Sequence, residues 1–433
     1  MPQSLPHIAI LDEELPFPLN SGKRIRTYNL LSRLCQRYRF TYICYRNANE
    51  QEQNQAEDAI GRLGIKAIVI DRIVPPKKGI AFYIRLLKNL CSTLPYSVQS
   101  HASKELLQSS LQLLREDPPD LWLCEWTPYA QTIRLLLERH KTLRWMIMAH
   151  NVESQIWARF ASNEKNPLKR WFLNHQFLKY QKFEKWACTQ SLGTIAVSRS
   201  DAKIFKKELC ASTVELVENG VDTTLYTPGE RPQTDQRLLF LGSLDWRPNL
   251  DGITFLLNQV MPGVWSQNPG VKLEIVGRRP PAWLTNQIDK LANVQLYPDV
   301  PDALPFIQRA SLMVVPLRIG GGSRLKILEA LACRLPVIST TIGAEGLDLE
   351  NNIHVTIADE PHLFASKIIE LLESTEVAAT TANNGYLTIK QNYCWNKLAL
   401  QLDSIWKKYL PDNLSRQSDY LPLSSKSILI ETV

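Results

Sequence analysis

Residues 316–346, PLRIGGGSRLKILEALACRLPVISTTIGAEG, hold the clearest concentration of chemistry in the chain. An apolar strand ends at Pro316–Leu317, and Gly320, Gly321 and Gly322 let a backbone approach a ligand closely. Ser323 is placed to cap the helix expected over 324–333. The free amides and dipole of that N-terminus form an anion site. Arg324 and Lys326 put two cations in the first turn, an unfavourable position unless an anion is bound there. The pattern points to a phosphate. Glu329, one turn on, can accept hydrogen bonds from a ribose or sugar diol. The plain alternative is a flexible glycine loop leading into a solvated basic helix start. A P-loop is excluded, because its Gly-Lys-Ser/Thr ending is missing.

Other candidates also fall just after apolar runs. His150 follows RWMIMA, with Asn151 and Glu153 beside it, and a local hydrogen bond at a strand end is its bland explanation. Gly242 closes RLLFLG. Glu345 sits in GAEG after PVIST, where it can reach donor or acceptor hydroxyls. Asn20, Ser21 and Gly22 precede Lys23, Arg24 and Arg26, which a solvated helix start explains nearly as well as an anion site. Residues 163–188 interleave Lys165, Lys169, Arg170, Lys179, Lys182 and Lys185 with Trp171, Phe172, Phe177, Phe183 and Trp186. Such a helix can lie on an anionic membrane, although aromatics at helical spacing commonly pack a core.

Positioning these residues requires a sheet whose strands all end on one side. HIAIL (7–11), FTYICY (40–45), KAIVI (66–70), LWLC (121–124), RWMIMAH (144–150), TIAVS (194–198) and STVELV (212–217) read as buried strands separated by helical stretches. A second series follows: RLLFLG (237–242), VKLEIVG (271–277), VQLY (294–297), LMVVPL (312–317) and PVIST (336–340). Continuous apolar strands alternating with helices imply parallel sheets covered on both faces. The expected class is α/β, with two Rossmann-like doubly wound domains facing across a cleft. Ligands in such sheets bind beyond the carboxyl ends of the strands. The expected boundaries are 1–222 for the first domain, 223–236 for a linker and 237–394 for the second. A helix over 395–411 then packs back on the first domain, and 412–433 form a disordered tail.

The 433 residues are 44% hydrophobic and 21% charged, close to an ordinary globular mixture, which excludes a predominantly disordered chain. With 18 Gly and 26 Pro, a low-complexity or collagen-like chain is excluded too. The net charge of +7 favours anionic partners without choosing among them. Nucleic-acid binding rests on that charge and the basic aromatic stretch alone, and no nucleic-acid module is recognisable. The eight cysteines form no Cys-x-x-Cys pair and read as thiols of a reducing compartment. The N-terminus lacks a basic start with a long apolar core, and no run reaches the ~18 apolar residues of a membrane span. The expected location is the cytoplasm, with a peripheral place on the inner membrane face left open.

The 316–346 block resembles the retaining glycosyltransferases of family four, as do VENGVD (217–222), FLGSLDWRPNLDG (240–252), LEIVGRRPP (273–281) and AHNVES (149–154). The blocks stand in the family's order. The resemblance implies the GT-B fold, with a nucleoside diphosphate sugar held by the second domain and an acceptor presented by the first. It implies that Glu329 binds the nucleotide ribose, as the second glutamate of the family's pair. The first glutamate would fall at Gly321 and is absent, which motivates a non-catalytic sugar-nucleotide or glycan-binding partner as the alternative reading. Gly242-Ser243-Leu244 and Arg247-Pro248-Asn249 stand where many members carry a basic clamp, so Arg324 and Lys326 are expected to take over its charge. Arg334 replaces a usual helix-ending glycine. His150 matches the histidine near the reacting centre, and Gly22 matches the small-residue loop near the phosphate. The expected site is then His150, Arg324 and Lys326 for catalysis, and Gly22, Gly242, Gly321, Gly322, Ser323, Glu329 and Glu345 for the donor. No metal and no cofactor beyond the donor are expected, because the sequence has no Asp-x-Asp. A glycan or lipid-linked acceptor is the expected partner.

Overall fold

The computed structural model describes residues 5–75, 79–230, 235–319 and 324–411. Their strands form two parallel sheets. The first sheet holds β1 (His7–Leu11), β2 (Arg39–Tyr45), β3 (Lys66–Ile70), β4 (Leu121–Cys124), β5 (Trp145–Met148), β6 (Gly193–Ala196) and β7 (Val214–Leu216), in the order β3-β2-β1-β4-β5-β6-β7. The second holds β8 (Arg237–Leu241), β9 (Lys272–Gly277), β10 (Val294–Pro298), β11 (Leu312–Val315), β12 (Val337–Ser339) and β13 (Thr356–Ile357), in the order β10-β9-β8-β11-β12-β13. Both orders reverse direction once, between β1 and β4 and between β8 and β11. A doubly wound sheet opens its ligand crevice at that reversal. β1 and β4 are buried on both faces, as their unbroken apolar sequences require.

Two compact units result. One runs to Glu218 and resumes at Leu398; the other is Asn219–Lys397. The division falls four residues before the position 222 read from the sequence. Residues 398–411 join the first unit through side chains of the Trp395–Tyr409 helix. Asp403 accepts from Arg37 at 2.6 Å and from the Tyr38 hydroxyl at 2.7 Å, and Trp406 meets Tyr38 edge-on at 5.2 Å. The expected tail from 412 lies outside the described residues.

Three local expectations change. The segment after 222 is no free linker: Thr227 O accepts from Gln308 at 3.0 Å, and a Cβ on Gly229 would overlap the Gln308 side chain. The helical stretch between RLLFLG and VKLEIVG, read over 249–260, starts at Arg247 and passes through a π-helical stretch, Leu256–Val260, into a further helix, Met261–Gln267. The wider turn lets the chain continue into Pro262, whose missing N–H ends an ordinary helix. Residues 163–188 are not one helix. Asn166 caps a new one, Pro167–Gln190, by accepting from the Leu168 and Lys169 amides, with Pro167 in the position where its ring fits best. The second half of that helix is core: Phe183 is buried, and Trp186 stacks on Trp145 at 6.2 Å. Its first half carries exposed Leu168 and Trp171.

Candidate functional site

In the second unit, the β8–β11 reversal gathers side chains from four segments. β8 ends at Leu241, and Gly242 turns the chain so that a Cβ there would stand 2.7 Å from Asn249 Nδ2 and 2.9 Å from Lys326 Nζ. Only glycine leaves that space open. A Cβ on Gly277, at the end of β9, would overlap the Gly242 carbonyl, so two glycines bring the β8 and β9 ends together. Asn249 is buried; it donates to Ser243 O at 2.7 Å and accepts from Lys326 Nζ at 3.2 Å. The Lys326 ammonium also lies 5.2 Å from the centre of the Phe240 ring.

Lys326 and Glu329 share the helix Leu325–Ala332, three residues apart and on adjacent turns. Burial, with the Arg324 charge second, pulls the Lys326 ammonium down to about 7. Burial pushes the Glu329 carboxyl up to about 7, against the pull of the Tyr226 hydroxyl, which donates to it at 3.2 Å. Each group thus changes charge near neutrality. A bound anion would favour the charged lysine.

Arg324 stands at the N-cap of this helix and is 3% exposed. Its Nη2 donates to Ile342 O at 2.7 Å, tying the helix start to the turn that carries Glu345. The guanidinium therefore faces inward, unlike the open phosphate ligand read from the sequence. Glu345 is exposed, on a turn where Gly346 takes a left-handed φ of 86°. Gly320, Gly321, Gly322 and Ser323 lie outside the described residues. Arg334 has a φ of 52°, the conformation a helix-ending glycine takes freely, and its guanidinium lies 4.4 Å from the Tyr386 ring centre.

In the first unit a second cluster marks the β1–β4 reversal. Asp12 follows β1 and is fully buried; it accepts from Lys23 Nζ and from the Tyr42 hydroxyl, each at 2.5 Å. Burial raises the Asp12 carboxyl, with Lys23 opposing. Burial also pulls Lys23 down, but Asp12 and Glu13 outweigh it and hold the ammonium charged. Glu125 follows β4 and accepts from Thr27 Oγ1 at 2.5 Å. His150 Nε2 lies 3.2 Å from the same Glu125 oxygen. Gly22 opens the helix Gly22–Leu34, whose N-cap is Ser21.

The cations beside Gly22 are neither solvated nor available to an anion. Lys23 is spent on Asp12, and Arg24 pairs with Glu14 at 2.5 Å. Arg26 donates to the carbonyls of Val217 and Glu218, at 2.7 and 2.6 Å, and burial lowers it to about 10.

The sequence reading missed Asp12, Glu125, Tyr42 and Tyr226. The first two were legible as acids directly after apolar strands. Tyr226 is 103 positions from Glu329, and nothing local marks it.

Residues 235–374 match the family described as Glycosyl transferases group 1. That segment is a group 1 glycosyl transferase domain. A Klebsiella pneumoniae protein described as an uncharacterized 44.6 kDa protein in the cps region is 28% identical over 40% of this chain. The chain spans about half the length of that relative, 45%. Sucrose-phosphate synthase from Thermosynechococcus elongatus superposes with a TM-score of 0.67 at 16% identity, covering 93% of this chain and 98% of its own. Anabaena HepE, solved with UDP and glucose, gives 0.62 at 14% identity, covering 92% and 98%. These likenesses show the fold of the chain, the two-unit α/β GT-B class. Lys326, Glu329, Gly242 and Asn249 all lie inside the matched domain, whereas His150 and Glu125 lie outside it.

Proposed function

We propose that the chain is a retaining glycosyltransferase, moving a sugar from a nucleoside diphosphate donor to an acceptor hydroxyl. The observation that carries this reading is the Lys326 ammonium, held by Asn249 beside Gly242 at the β8–β11 reversal, with Glu329 one turn further along the same helix. Departure of a diphosphate leaves growing negative charge, and a preorganised cation in a water-poor site stabilises it best. Lys326 meets that charge, and the amides of Gly321, Gly322 and Ser323 complete the cradle. Glu329 takes the ribose diol, and Tyr226 orients it. Arg324 adds positive potential from behind and anchors the turn that lets Glu345 reach donor hydroxyls. His150, held by Glu125, is the catalytic residue proposed for the first unit.

In this reading these groups meet the diphosphate charge without a metal or resident cofactor. The acceptor attacks from the leaving-group side, and the departing phosphate takes its proton. The Klebsiella relative in the cps region supports polysaccharide assembly as the setting, with a glycan or lipid-linked acceptor.

The test is a thermal-shift panel of UDP, GDP, ADP and their sugars, followed by a transfer assay with the stabilising donor. Stabilisation by one nucleotide that disappears in Lys326→Met supports the reading. Undiminished stabilisation in a folded Lys326→Met protein overturns it.

A further inference from the structure

The first unit carries a helix with an unpartnered apolar face. In Ile80–Asn89, Phe82 and Leu86 are half-buried, Phe82 edge-on to Tyr96, while Ile80, Tyr83, Ile84 and Leu87 recur at i, i+3, i+4 and i+7. That spacing normally faces a core. Here all four face solvent, with Ile80 80% and Leu87 68% exposed, and the helix's one buried residue is Asn89. A second apolar row lies on the first half of the Pro167–Gln190 helix, where Leu168 is 78% and Trp171 58% exposed, with Leu178 further along.

Polar contacts tie the end of the first helix to the middle of the second. Asn89 Oδ1 accepts from Gln176 Nε2 at 2.8 Å, and the Asn89 carbonyl accepts from Lys179 Nζ at 2.7 Å. A monomer surface rarely leaves this many large apolar side chains on two neighbouring helices uncovered.

Charge identifies what covers it. Residues 79–91 and 165–182 contain Arg85, Lys88, Lys165, Lys169, Arg170, Lys179 and Lys182 and no Asp or Glu. A second copy of this face would bring like charges together, whereas an anionic bilayer offers apolar depth beneath a negative surface. Basic side chains near such a surface each contribute about 1 kcal/mol, and apolar side chains add their burial in the acyl boundary. No helix among the described residues is long and apolar enough to cross a membrane, so this contact lies in the plane of the surface. We propose that the exposed face of Ile80–Asn89, together with the first half of Pro167–Gln190, docks the protein on an anionic lipid surface.

The experiment is flotation of the full chain with phosphatidylcholine vesicles, with and without phosphatidylglycerol. Association is expected with the anionic vesicles and is expected to weaken as salt rises. Leu87→Glu and Trp171→Glu, on separate helices, each lower it by about tenfold or more. Leu363→Glu, an exposed leucine of the other unit, leaves it unchanged. Both test residues are solvent-exposed, and unchanged circular dichroism checks each fold. The proposal is overturned by no association with anionic vesicles, or by association that both variants retain. A dimer that dissolves in Leu87→Glu, without vesicle binding, overturns it equally. None of these outcomes bears on donor binding, which the nucleotide panel reads separately.

Discussion

The affinity for a nucleoside diphosphate sugar should peak near pH 7 and fall on both sides. Lys326 and Glu329 each sit at about 7, so in the free protein each is half charged at neutrality. A diphosphate selects the protonated lysine, so the alkaline limb begins as pH rises through 7. A ribose diol selects the ionised carboxylate, so the acidic limb begins as pH falls through 7. The binding-competent fraction is then about one quarter at pH 7 and about one hundredth at pH 5 or 9. The apparent Kd divides by that fraction, so it should rise about 25-fold, or about 2 kcal/mol, at either extreme. Because the two groups interact, these values belong to the pair.

UDP-glucose suits the assay, because its diphosphate lacks the second ionisation near 6 that complicates free phosphate monoesters. Calorimetry in buffers of different ionisation enthalpy should show net proton uptake at pH 8 and release at pH 6. Lys326→Met should flatten the alkaline limb and move the acidic limb to higher pH, and Glu329→Gln should flatten the acidic limb and move the alkaline limb to lower pH. A Kd unchanged between pH 7 and 9, or an alkaline limb that survives in Lys326→Met, would refute the reasoning.

Three further outcomes follow from particular contacts. Gly242→Ala places a methyl against Asn249 and the Lys326 ammonium, so UDP-glucose affinity should fall about tenfold or more while stability, read by urea unfolding, drops by about 1–3 kcal/mol. Glu184 is buried, sits at about 7 because of that burial, and accepts from the Glu153 and Ser154 amides and the Ser154 hydroxyl. The folded carboxyl keeps its proton above the 4.5 of the free group, so its stabilisation should decline as pH rises from about 4.5 to about 7. Glu184→Gln should remove that slope from the unfolding free energy and lower stability by about 1–3 kcal/mol near pH 5. Arg334→Gly relieves a left-handed backbone at the expense of a cation–π contact, so calorimetric unfolding should move by less than about 1 kcal/mol.

Much of the architecture was written locally. HIAIL, LWLC and LMVVPL have no polar face, so they can only be strands covered on both sides, and helices between them oblige parallel pairing. The glycine block stood out by its composition, Gly320, Gly321 and Gly322 ahead of Arg324 and Lys326. Types and spacing therefore determined the class and the two sheets.

Other features depended on what the folded chain brings together. Local sequence cannot say whether a cation is spent. Lys23, Arg24 and Arg26 read like a basic helix start, and the fold pairs all three with acids or carbonyls, Lys23 half-buried and the two arginines buried. Nor can spacing tell which way an amphipathic helix turns: the Ile80–Asn89 pattern reads as core, and the fold leaves it facing water. The near-neutral charges of Lys326 and Glu329 are likewise tertiary properties. They arise from burial among partners distant in the chain: Asn249 is 77 positions from Lys326, and Tyr226 is 103 from Glu329. A residue's type sets which proton it can hold, and only its surroundings set the pH at which it holds it.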